Sequence, residues 1–168
     1  MNIVEFCSIR NGLDFLKKRE PQLLEEIVGI ITSIDIEACR LHAVSGKVIY
    51  SPDKINDKFK RELLSAGWEK SLHKIAVREC DEAAFIKNKT VIEIQFGNYA
   101  YVAYDIFIKH LLYYYGSNID AGIAILPVKS LQSLMDPGMS FYESEIINIY
   151  RQEEGLSLPP HVIIGVET

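Results

Sequence analysis

Residues 83–96 read AAFIKNKTVIEIQF. Apolar and polar positions alternate around a Lys87-Asn88-Lys89 break, which predicts a β-hairpin. The second arm, residues 90–96, is rich in β-branched side chains, as strands are. Successive strand side chains point to opposite faces. Ile92, Ile94 and Phe96 therefore share one face and suit a core. Glu93 and Gln95 share the other, inside a run that is otherwise almost wholly apolar. Either that face meets solvent, as one face of an antiparallel pair often does, or the carboxylate has a function, because burying an unpaired charge is costly.

The hairpin's register bears on that choice. If the loop is Asn88-Lys89, paired positions sum to 177 and position 84 lies opposite Glu93. A three-residue loop puts position 83 there instead. Two carboxylates facing each other across such a pair would make a hard-oxygen site for Mg²⁺. Both positions are alanine, with Asp81 and Glu82 just upstream, so the hairpin offers half of a metal site.

Around the hairpin the period changes. Residues 21–33, PQLLEEIVGIITS, open with Pro at N1 and space Leu24, Ile27, Ile30 and Ile31 as a helical stripe. Residues 53–66 form a second helix, with Asp53 as N-cap, Ile55, Phe59, Leu63 and Leu64 as its apolar face, and Gly67 as its end. The first third thus reads as helical. After the hairpin come a tyrosine-rich helix over 99–115 stopped by Gly116, a buried strand over 121–128, a helix near 141–153, and a last strand over 161–167. No repeat or low-complexity tract interrupts this order. It predicts an α/β fold: one domain over 1–168, a central mixed sheet flanked by helices.

Composition sets the outer limits. A chain of 168 residues with 48% hydrophobic and 24% charged residues is globular rather than disordered. No apolar run approaches the roughly 18 residues of a membrane span, and the first residues lack a signal-peptide pattern. Cys7, Cys39 and Cys80 form no CxxC pair, and His42, His73, His110 and His161 have no HxxxH or HxH spacing, so the pattern indicates neither a disulfide framework nor zinc. GxxxxGK[ST] and GxGxxG are absent, which argues against a nucleotide cofactor. A net charge of −5 argues against a non-specific nucleic-acid coat. Residues 40–78 nevertheless hold nine Lys/Arg against four acids. That stretch is either a basic binding face or a solvated helix surface.

The run KTVIEIQFGNYAYV, with SGKVIYSPDKINDKFKRELLSAGW upstream, resembles the active-site segment of type II restriction endonucleases of the BglII and BstYI kind, within the PD-(D/E)xK nuclease superfamily. The resemblance covers residues 34–98 and extends more loosely to the last strand. It implies a restriction-endonuclease-like fold and Mg²⁺-dependent hydrolysis of double-stranded DNA by a homodimer. The implied target is a short palindrome with a GATC core, and the implied location is the cytoplasm of a prokaryotic cell. It assigns the catalytic positions to 84, Glu93 and Gln95. An Asp at 84, Glu93 and the main-chain carbonyl of Ile94 would serve the metal, and Gln95 would orient water or phosphate. This chain has Ala84 where the family has Asp, which implies a disabled site, whether engineered or native, unless Asp81 or Glu82 substitutes. Asn98 matches a base-contacting Asn of the family, and an amide suits adenine in the major groove, although a turn or cap is the ordinary use of Asn there. Ser140 lies near a family recognition loop, or caps the helix that follows together with Glu143. Lys47, beside Gly46, is a candidate phosphate or base contact. Two other readings stay open: a catalytically silent DNA-binding module with a native Ala84, and an α/β interaction protein with Glu93 and Gln95 merely solvent-facing.

Overall fold

The computed structural model describes residues 1–42, 48–70, 84–97, 108–116, 118–135, 138–152 and 158–168. Eight strands lie in these segments: β1 (Asn2–Ile9), β2 (Arg40–His42), β3 (Val48–Tyr50), β4 (Glu69–Lys70), β5 (Ala84–Lys87), β6 (Thr90–Ile94), β7 (Ala121–Pro127) and β8 (His161–Glu167). The helices are α1 (Gly12–Arg19), α2 (Pro21–Ser33), α3 (Pro52–Ser65), α4 (His110–Tyr115), α5 (Lys129–Gln132) and α6 (Tyr142–Gln152). Six strands form one mixed sheet in the order β1-β8-β7-β6-β5-β4, while β2 and β3 pair separately. The three central strands β6, β7 and β8 run parallel, and antiparallel pairs flank them on both sides.

Each face of the sheet is covered. Phe85, Ile92, Ile123, Ile125, Val162 and Ile164 pack against Leu16 of α1, Ile27 and Ile31 of α2, and Phe59 and Leu63 of α3. On the opposite face, Ala124, Leu126 and Ile163 meet Tyr142 and Ile149 of α6, and Ala84 and Val91 meet Tyr113 of α4. Parallel strands with both faces covered read as continuous apolar runs. All seven residues of β7 are accordingly buried.

The hairpin has the two-residue loop. Asn88 and Lys89 both have positive φ, 48° and 57°, the backbone of the turn that suits a right-twisted hairpin. The pairing is Ala84↔Glu93, Phe85↔Ile92, Ile86↔Val91 and Lys87↔Thr90. Glu26 clamps this hairpin to α2: it accepts from Trp68 Nε1 at 2.8 Å and faces Lys87 Nζ at 2.8 Å.

Several expectations need correction. The first third is not only helical, because β1 precedes α1 and the small β2–β3 pair precedes α3. Ser51, not Asp53, caps α3: its hydroxyl accepts from the Lys54 amide, with Pro52 in the first turn. Gly67 does end that helix, at φ 82°. The second hairpin strand stops at Ile94 rather than Phe96. The tyrosine-rich helix is described only from residue 108, with Tyr113 buried and Tyr114 and Tyr115 exposed. No helix among the described residues is long and apolar enough to cross a membrane.

Candidate active site

Glu93 lies at the middle of the sheet. Its strand neighbours are Ala84 on β5 and Ala124 on β7, so a methyl group flanks the carboxylate on each side. Glu93 is 2% exposed and Gln95 is 7% exposed. This removes the reading in which the pair faces solvent. The Gln95 amide N–H donates to the Ile125 carbonyl at 2.9 Å, which extends the β6–β7 ladder past the end of the strand. Just beyond, Asn56 of α3 donates to the Phe96 carbonyl at 2.8 Å, and Phe59 stacks on Phe96. The exit from β6 is thereby tied to α3.

The groups that meet Glu93 were not anticipated as site residues. Lys109 Nζ, immediately before α4, lies 2.7 Å from Glu93 Oε1. His110 Nε2 lies 3.4 Å from the same oxygen. Behind His110 stands His161, the first residue of β8, with His110 Nδ1 and His161 Nε2 2.7 Å apart and the rings stacked. His161 Nδ1 in turn lies 2.8 Å from the Pro159 carbonyl oxygen.

That last contact orders the protons along the chain. A carbonyl only accepts, so His161 Nδ1 must carry the hydrogen. Burial above all, and then the neighbouring His110, push the His161 pKa down to about 3, so its ring is neutral at neutral pH and Nε2 is an acceptor. His110 Nδ1 therefore donates to it. His110 Nε2 is left to face Glu93 Oε1 at 3.4 Å. Burial pushes Glu93 upward from its ordinary pKa, and the Lys109 ammonium opposes that shift.

Glycine makes room for the two rings. Gly122 on β7 pairs with His161, and a Cβ there would come within 2.3 Å of His161 Nε2 and 2.8 Å of His110 Nδ1. Any larger residue would push the imidazoles off the sheet.

The remaining sequence candidates divide. Ala84, Glu93, Ile94 and Gln95 come together at the hairpin, as the register requires. Asn98 and Lys47 lie outside the described residues. Ser140 is buried, and its hydroxyl donates to Glu145 Oε1 at 3.1 Å. Glu143 accepts from the Lys129 amide at 2.9 Å. The exit of β7 and the entry of α6 are thereby linked.

Mg²⁺ prefers several hard oxygens in octahedral array. Among the described residues no three His, Cys, Asp or Glu converge on such a point. Glu93 Oε1 is fully buried and lacks a hydrogen bond of standard geometry, which would suit a cation. An ammonium already stands against it, however, and position 84 supplies only a methyl. Among the described residues, which do not include Asp81 and Glu82, the donors do not fit a Mg²⁺ centre.

The mixed sheet, its covered faces and the buried Glu93 on an otherwise mostly apolar inner strand are those of a restriction-endonuclease-type α/β domain. The crystal structure of free BglII matches with TM-score 0.73 and 21% identity, over 100% of this chain and 80% of that one. The structure of BglII complexed with a DNA 16-mer matches with TM-score 0.76 and 19% identity, over 98% of this chain and 76% of that one. No curated protein sequence matches. The chain belongs to the BglII/BglIII restriction endonuclease family, whose model matches residues 4–166.

Proposed function

We propose that this chain recognises a short palindrome in double-stranded DNA as a homodimer, in the manner of a type II restriction endonuclease, and that hydrolysis is disabled at position 84. Family membership supports the endonuclease design. The observation that carries the rest is the Ala84↔Glu93 pairing: the position opposite the buried carboxylate holds a methyl where an Asp would complete the site. A two-fold protein pair matches a two-fold DNA site. In this reading residues 1–168 act as one domain, Asn98 reads a base edge and Lys47 meets phosphate. Ser140, engaged by Glu145, shapes the loop entering α6. A GATC core and a prokaryotic cytoplasmic setting belong to the same proposal.

A catalytically silent module with a native Ala84 is the second reading, and Lys109 against Glu93 favours it. Plasmid digestion in Mg²⁺ tests both, comparing the chain with its Ala84→Asp variant. The variant is expected to cut at discrete sites where the parent does not, and the fragment ends then give the recognition sequence. A variant as inert as its parent rules out simple disablement at 84 and leaves the silent module. Cutting by the parent itself would assign the second carboxylate to Asp81 or Glu82.

A further inference from the structure

We propose that Lys109 is the resident cation of this site: a positioning residue whose ammonium takes the place of a divalent metal beside Glu93 and keeps such an ion out. Lys109 Nζ stands 2.7 Å from Glu93 Oε1, and the two side chains are only 10% and 2% exposed. The proposal deepens the functional reading above, and only its DNA arm rests on that reading.

Geometry is the first reason. An oxygen facing an ammonium at 2.7 Å cannot offer the same lone pair to an ion that needs a contact of about 2.1 Å. His110 Nε2, at 3.4 Å, crowds that oxygen further. Lys109 and His110 are consecutive residues, so one stretch of chain delivers both groups to the carboxylate.

Charge is the second reason. Among the described residues, one carboxylate faces one ammonium at this point. Adding a divalent ion beside this nearly buried pair would bring two positive charges against an ammonium already in place, which is costly. A site with carboxylates at both 84 and 93 would carry one more negative charge and call for the metal. An alanine at 84 and an ammonium on Glu93 are therefore complementary. The strand itself offers no alternative cation, since Gln95 is a neutral amide.

Mn²⁺ is the probe, titrated into the full-length chain and followed by electron paramagnetic resonance. Lys109→Met is expected to bind Mn²⁺ about tenfold more tightly than the parent, or better, because a buried carboxylate without its counter-charge seeks another. Lys109→Arg keeps the charge and should behave as the parent does. Adding Glu93→Gln to Lys109→Met should abolish the gain, which places the ion at Glu93. If Lys109→Met does not fold, Lys109→Gln drops the charge but keeps a donor against Glu93, and the same gain is expected. Equal Mn²⁺ affinity in the parent and the folded neutral variant overturns the proposal.

The second arm measures binding to duplex DNA in EDTA and in Mg²⁺. The parent should bind equally in both, whereas Lys109→Met should bind better with Mg²⁺. A Mn²⁺ gain with no DNA binding by any variant would sink the functional reading and leave this inference standing. DNA binding with a flat Mn²⁺ response would sink this inference alone.

Discussion

A carboxylate on a covered sheet face is tolerated if it takes a proton, gains a counter-charge or binds a cation. Glu93 is placed for the first two, through His110 and Lys109. Behind them, His161 makes a prediction of its own. Its pKa in the folded chain is about 3, against an ordinary 6.5. Between those values the unfolded chain binds a proton that the folded chain refuses. The contribution of His161 is therefore complete above pH 6.5 and is lost as the pH falls toward 3, at up to about 1.4 kcal/mol per pH unit. Glu93 and Glu145, both pushed upward by burial, work in the opposite sense, so the slope of the whole chain is shallower. Urea unfolding of the parent and of His161→Gln isolates the His161 part. The stability of the parent relative to the variant should fall by about 1 kcal/mol per unit from pH 6 to pH 4. A difference independent of pH would show that His161 is not held neutral. Glu93, Gln95 and the alanine opposite were legible in the sequence because hairpin pairing is local. Lys109, His110 and His161 were not, because His110 and His161 lie 51 positions apart and only the fold brings them together. A histidine heading the otherwise apolar HVIIGVE strand, and a Lys-His pair in a tyrosine-rich helix, were the faint signals available.

Among the elements, α2, α3, the hairpin, β7 and β8 were readable because each carries its own period and its own start or stop. β1 was missed for a physical reason. Its register slips between Ile3 and Glu5, and such a bulge breaks the two-residue alternation by which a half-exposed strand is recognised. Its partner β8 lies at the other end of the sequence, so no turn announces the pairing. β2 and β3 are three residues each, too short to show a period. β7 has an internal requirement that its apolar run conceals: Gly122 lies under the paired imidazoles. Gly122→Ala is expected to destabilise the chain by about 3 kcal/mol, the upper range for overpacking, as read by the urea midpoint. The signals of the two ring protons should shift with it. A variant as stable as its parent would mean that the rings can leave their place without cost.

For the molecule as a whole, the proposed function has an acidic protein hold a polyanion, which requires its charge to be unevenly placed. Lys54, Lys60 and Arg61 of α3 are exposed on one such basic stretch. Phosphate contacts release counterions, so affinity for duplex DNA should fall linearly in log salt, with a slope of about −0.9 for each phosphate neutralised. Fluorescence anisotropy on a short palindromic duplex measures it. A slope near zero would mean that phosphates are not what this chain touches, and would return it to the class of protein-binding α/β domains.

The sheet also imposes an order of events. β1 is made before the other described strands, yet among them its partner is β8, and Asn2 reaches Thr168 across 166 positions of sequence. Loop closure over such a span is slow, and local pairs form sooner. During synthesis the β5–β6 hairpin can close as soon as it is made, while β1 waits for its partner until β8 arrives. The Glu93 cluster waits too, because His161 sits on that strand. A nascent chain therefore cannot assemble its buried charge network early: the polar centre of the molecule closes at the same moment as its outer edge.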